Sequence, residues 1–196
     1  MRTRNADKQE LVKRKSIEMV VKDGLEGFSV NKLAKACGIS VATLYIYYKD
    51  KDDLIAEVAK EEAERMSATV LKGFDPEAPF AEGLRLQWKN RAKHMMENPL
   101  TVMFFEQLRH SSYQETVWSC ILMKFKDSMG RFLANAIDSN EIEKMPVEVF
   151  WSIAFSPLYS LLRFHHEGSS FSGKPFVISQ KIIWQTFGLV LKALKK

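Results

Sequence analysis

Tight-turn residues are scarce in this chain, which has nine glycines and six prolines among 196 residues. An all-β fold needs a turn between successive strands, so so few turn formers exclude it. Cysteine is scarcer still. Cys37 and Cys120 lack metal-ligand spacing and fall in helical patterns, which reads as two buried free thiols in a reducing compartment. The most apolar run, Val149 to Leu162, carries no charge but is shorter than the roughly 20 residues that span a bilayer. Met1 to Gln9 is charged and no apolar segment follows, so no secretory signal and no membrane partner are expected. These absences point to a cytoplasmic protein, and a hydrophobic content of 46% is enough to build a core.

Catalytic and metal-binding patterns are missing too. The four histidines, His94, His110, His165 and His166, form no His-Glu-x-x-His, and the adjacent pair points about 100° apart on a helix. Asp50 to Asp53 lacks the glycine and the distal glutamate of a calcium loop. There is no nucleophile elbow, phosphate-binding glycine loop or dinucleotide fingerprint. No cofactor, no metal and no enzymatic activity are therefore expected.

What is present begins with an uneven charge. Residues 1–51 hold eleven Lys or Arg against six Asp or Glu, whereas residues 52–196 hold eighteen of each. The whole excess of +5 thus sits on the first quarter of the chain. A basic module on a neutral body suits a polyanion, because cations that neutralise phosphates release condensed counterions.

The residues between those charges have helical order. From Lys8 to Asp23, Val12, Ser16, Met19 and Val20 share one face, and Gly24 suits a left-handed helix end. Ser29 is positioned to cap a second helix, in which Val30, Leu33, Ala34 and Cys37 fall at i, i+3, i+4 and i+7. Gly38 ends it, and Ser40 can cap a third helix after a turn of Gly38-Ile39-Ser40. Asp50 caps a fourth, with Asp53 in a capping-box-like position. Two short helices with this turn have helix-turn-helix spacing, which lays the third helix in a DNA major groove. Ala42 and Thr43 are small enough to meet thymine methyls. Tyr45 and Tyr47 can pack on sugars and donate to phosphates, Lys51 is placed for a phosphate, and Tyr48 reads as core.

The segment from Phe28 to Leu54 resembles the DNA-binding domain of the TetR family of transcriptional regulators. The matching positions are Leu33, Ala34, Gly38, Thr43, Leu44, Tyr45, Tyr47, Tyr48 and Lys51. The resemblance implies DNA contacts at Ser29, Val30, Asn31, Val41, Ala42, Thr43, Tyr45, Tyr47 and Lys51. Two positions depart from the family pattern: Val41 replaces a common polar or basic residue, and Ala42 a common glycine. An apolar Val41 offers no hydrogen bond to a base, so readout leans on methyl contacts and DNA shape.

The expected fold is all-α: a three-helix helix-turn-helix domain over residues 1–51, then a helical bundle over 52–196 for ligand sensing and dimerisation. A charged helix from Asp52 to about Leu71 would link the two. Further helical patterns run over Phe80–Glu97, Leu100–His110, Ser112–Ala136, Val147–His166 and Pro175–Leu194. All four tryptophans and twelve of thirteen phenylalanines lie after Leu71, and such a bundle can hold an apolar pocket. Trp88, Met95, Phe104, Trp118, Met123, Trp151, Phe155 and Tyr159 are its candidate walls, for a small apolar or amphipathic effector. The Val147–His166 pattern is apolar nearly all round, bent at Pro157, and needs cover on both faces. Its small-residue stripe, Ser152, Ser156 and Ser160, permits close helix approach, and with Ile182 and Leu189 forms the candidate dimer interface. By resemblance these two helices from each subunit make a four-helix interface. The implied protein is a homodimeric repressor on a palindromic double-stranded operator, or else a DNA-binding dimer or activator without a small ligand.

Overall fold

The computed structural model describes residues 2–196, apart from the side chains of 2–5, 116–118, 120, 122 and 124. It is built of helices: α1 (Arg2–Gly27), α2 (Val30–Cys37), α3 (Val41–Tyr47), α4 (Lys51–Val70), α5 (Phe80–Glu97), α6 (Pro99–Arg109), α7 (Gln114–Asp138), α8 (Val147–Ala154), α9 (Ser156–Glu167) and α10 (Gln180–Leu194). No strand occurs among the described residues, only two isolated bridges. No helix among them is long and apolar enough to cross a membrane.

Two compact units emerge, one of Met1–Met66 with Asn98–Leu122, the other of Ser67–Glu97 with Met123–Lys196. The first unit therefore contains α6 and most of α4 as well as the three helices expected for the head. Its core shows why. Val12, Ile17 and Val20 of α1 lie in one buried cluster with Leu33 of α2, Leu44 of α3, Leu54 and Val58 of α4, and Phe104 and Leu108 of α6. Short helices like α2 and α3 are marginal alone and depend on such burial. Across the surface, Arg65 of α4 grips both carboxylate oxygens of Glu10 at 2.7 and 2.9 Å, and Lys13 pairs with Glu61. The guanidinium beside Glu10 holds its carboxyl below the usual carboxylate range. The exposed Arg65 pair adds little stability at physiological salt.

The second unit packs α5 against α9 and α10, with α8 beside both. Its aromatic content is concentrated here: Phe132 stacks on Phe80 and meets Phe74 edge-on, while Phe150 sits edge-on to Phe80 and Phe155. Trp88 is fully buried, its indole N–H donating to the Ala154 carbonyl at 2.7 Å.

Several local expectations need correction. α1 begins well before Lys8 and continues to Gly27, with its interruption at Gly24 (φ 72°, ψ 172°), a conformation essentially restricted to glycine. The pattern from Val147 to His166 is two helices and not one bent helix. Pro157 cannot donate back to the preceding turn, so α8 stops at Ala154, Phe155 leaves helical geometry (φ −125°, ψ −29°), and α9 restarts with the proline in its first turn. The last helix begins at Gln180, not Pro175. Ser179 caps it through a bond from the Ile182 amide at 3.3 Å. Cys37 is half-buried rather than buried, though burial still raises its thiol pKa; the Cys120 side chain lies outside the described residues.

Candidate nucleic-acid interface

The α2–turn–α3 unit is built from its glycine and its caps. Gly38 takes the left-handed conformation (φ 66°, ψ 33°), which costs a glycine nothing and lets the Ile39 amide return to the Ala34 carbonyl at 3.1 Å. The turn is then closed by Ser40, whose Oγ accepts from the Thr43 amide at 3.1 Å and shares a 2.8 Å hydrogen bond with the Thr43 hydroxyl. At the far end Asp50 Oδ1 accepts from the Asp53 amide at 2.8 Å, and Asp53 Oδ2 accepts from the Lys49 amide at 2.9 Å, a reciprocal start for α4. Ser29 differs from expectation. It stands at the cap position of α2 in extended geometry, but its side chain makes no capping bond.

Replacing Ser40 by alanine is expected to lower stability by about 1 kcal/mol, the usual worth of such a cap. Ser29→Ala, with no bond to lose, should stay within about 0.5 kcal/mol of the parent. Urea denaturation of the two variants side by side separates these outcomes.

With Leu33, Ala34 and Leu44 buried beneath, the other face of α3 is turned outward. Tyr45 is 52% exposed, Ala42 is exposed, and Val41, Thr43 and Tyr47 are half-buried. On α2, Asn31 is exposed, and Ser29 and Val30 are half-buried. Tyr48 is buried, and the loss of solvent pushes its hydroxyl pKa up to about 12, so it stays neutral. Lys51 has a structural contact as well: its Nζ donates to the Leu25 carbonyl at 2.7 Å and lies over the Phe28 ring. Lysine carries three N–H donors, so this bond ties α4 to the end of α1 and leaves capacity for a phosphate.

One outward residue escaped the sequence argument. Ile46 is 75% exposed, one position beyond Tyr45. An aliphatic side chain this exposed on a short helix invites an apolar contact, and its signal was available, since it lies i+4 from the outward Ala42. Lys32, Lys35 and Lys49 are likewise exposed near this face.

The candidate effector walls separate. Trp88 and Phe155 are buried, and Met95, Trp151 and Tyr159 half-buried, all in the second unit. Phe104 belongs instead to the first unit's core. Met123 is 71% exposed and joins no wall, and the Trp118 side chain lies outside the described residues. What gathers Trp151, Phe155 and Tyr159 is Arg91, a residue the sequence did not single out. Its guanidinium lies over the Phe155 ring at 4.3 Å and donates to the Tyr159 hydroxyl at 2.6 Å. Elsewhere in the unit, a groove of about 710 Å³ runs between α5 and α10, bordered by Leu86, Met96, Ile183 and Trp184 with Arg85 and Lys89. Of the candidate dimer residues, Ser152, Ser156 and Leu189 are exposed, and Ser160 and Ile182 half-buried.

A glycine-closed helix pair with a buried inner face and an outward, partly polar outer face defines an all-helical protein with a helix-turn-helix head. Residues 15–58 match the family model for bacterial regulatory proteins of the tetR family. Over 107 residues, 55% of this chain, it is 33% identical to an uncharacterized HTH-type transcriptional regulator of Haemophilus influenzae, and that stretch spans 57% of the relative's own length. Over 131 residues it is 23% identical to a fatty acid metabolism regulator protein of Bacillus subtilis, covering 66% of this chain and 68% of that one. A TetR family transcription regulator from Marinobacter aquaeolei VT8 superposes with a TM-score of 0.85 at 25% identity, across 100% of both chains. Residues 15–58 thus resemble the DNA-binding domain of bacterial tetR-family regulatory proteins, and the whole chain has the fold of a TetR family transcription regulator.

Proposed function

We propose that the protein is a homodimeric transcription repressor whose two α3 helices read half-sites of a palindromic operator, and which a small effector releases from DNA. The observation that carries DNA binding is the exposed face of α3, with Tyr45, Ala42 and Ile46 outward while Leu44 anchors the helix from beneath. The basic excess of the first 51 residues supports it. Ser29, Val30 and Asn31 border the groove from α2, Val41, Ala42 and Thr43 meet base edges, and Tyr45, Tyr47 and Lys51 hold the backbone.

Dimerisation is supported by Leu189, 66% exposed, and by Val147 and Val149, exposed on α8, which leave apolar surface for a second copy. A two-fold protein matches a two-fold operator. The effector would bind in the second unit and favour a state whose heads no longer fit the operator, so that its differential affinity releases DNA. The Bacillus subtilis relative is named for fatty acid metabolism, which suits an amphipathic effector.

The test is duplex affinity of the parent, Tyr45→Ala and Lys51→Ala across a salt series. Each variant should bind about tenfold or more weakly, the worth of a hydrogen bond to a charged phosphate. The slope of log affinity against log salt should be steep for the parent and shallower for Lys51→Ala. Folded, dimeric variants that bind as tightly as the parent would refute the assignment. Tyr45→Ala is the cleaner of the two, because Lys51 also holds Leu25.

A further inference from the structure

Arg91 sits in the middle of α5 and is 6% exposed. Among the described residues it is the only buried lysine or arginine, and no ion pair among them reaches it. Its Nη1 donates to Tyr159. Around the guanidinium carbon the ring centroids of Phe155, Phe125 and Trp151 lie at 4.3, 5.1 and 5.2 Å. Nε and Nη2 are buried and meet no acceptor among the described residues.

Arginine cannot escape this position by losing its proton, as a buried lysine can. Ring faces attract the cation but provide no acceptor for its in-plane N–H groups. A buried donor left without a partner is unfavourable, and a buried charge without a counter-ion more so. The two unpartnered nitrogens lie on one edge of the guanidinium, the edge that forms two parallel bonds to a carboxylate. One fixed positive charge calls for one negative charge. A dianion would leave a charge unpaired among aromatic rings. Those rings in turn suit an apolar body attached to the head group. Trp151 and Tyr159 are only half-buried, so the cage is not sealed.

We propose that the second unit binds an amphipathic monocarboxylate, its two oxygens on Nε and Nη2 of Arg91 and its apolar part against Phe125, Trp151 and Phe155. This rests on the effector reading above and gives that effector a charge and an anchor. Tyr159 acts as a positioning residue that fixes the guanidinium through Nη1.

The experiment is calorimetric titration of the full chain with straight-chain carboxylates of about six to sixteen carbons, and with the alcohols of equal length. The lengths bracket the apolar area that such a pocket can bury. The parent should bind its best carboxylate saturably and about tenfold or more tighter than the matched alcohol, the worth of a bidentate charged pair. Arg91→Gln should remove that preference, so that the carboxylate binds no tighter than the matched alcohol, and Arg91→Lys should restore only part of it. The comparison within the parent stands even if Arg91→Gln does not fold. Equal binding of acids and alcohols would overturn the carboxylate assignment and leave the effector reading intact. No binding by any carboxylate would overturn it as well, and DNA release by an uncharged or cationic compound would then show that the effector reading survives alone. An Arg91→Gln protein that still prefers carboxylates would show that the carboxylate is held elsewhere, and would overturn it too.

Discussion

Trp88→Ala is expected to lower stability by about 3–5 kcal/mol, the range for deleting a buried large aromatic side chain. For a chain of this size that corresponds to a drop in Tm of about 6–20 °C. Three losses combine. The ring is fully buried, so its removal leaves a cavity. It meets Phe187 of α10 edge-on at 5.4 Å between centroids, a contact that goes with it. The Ala154 carbonyl, at the break between α8 and α9, loses the indole donor at 2.7 Å. Trp88→Phe separates the terms: it keeps most of the volume and loses only the hydrogen bond, at a cost of about 1–3 kcal/mol. Urea unfolding followed by circular dichroism reads both variants. A loss below about 1 kcal/mol for Trp88→Ala would contradict the packing described for the second unit.

Gly83→Ala should also destabilise, although Ala is the better helix former by about 1 kcal/mol. A Cβ at residue 83 would stand 2.3 Å from Cε2 and 2.7 Å from Cζ of Phe132. Phe132 is fully buried between Phe74 and Phe80, so it has nowhere to turn. Overpacking of this kind typically costs about 1–3 kcal/mol and here exceeds the propensity gain. Gly130→Ala in α7 is the control, since a Cβ there meets nothing within 4 Å. It should raise stability by about 0.5–1 kcal/mol. Opposite signs for the two substitutions in one denaturation series are the expected result.

The head was legible in the sequence because its signals are local. Leu33, Ala34 and Gly38 set the end of α2, Ser40 the start of α3, and the capped turn follows from residues three apart. The extent of the first unit was not legible, because Phe104 and Leu108 enter its core from α6, far along the chain, and periodicity marks an apolar face without naming its partner. Pro157 announced a disturbance, but whether a proline bends a helix or divides it depends on the backbone at Phe155. Arg91 was missed because a charge is read as surface by default. The available signal was position: Phe80, Leu84, Gln87, Trp88 and Arg91 form one buried stripe of α5, with two polar residues inside it. Aromatic content marked Trp151, Phe155 and Tyr159 without saying what they surround. Met123, by the same composition argument, turned out to face solvent.

Sequence-specific DNA binding is the claim on which the rest depends, and retention of DNA tests it directly. Purified protein is mixed at moderate salt with sheared chromosomal DNA from its host, and the retained fragments are sequenced. The account predicts an enriched inverted repeat with half-site centres about 34–36 Å apart, or a multiple of that spacing, matching two α3 helices related by a two-fold axis. Diffuse retention that salt abolishes, with no enriched sequence, would contradict it, leaving a basic head that holds phosphates and reads nothing.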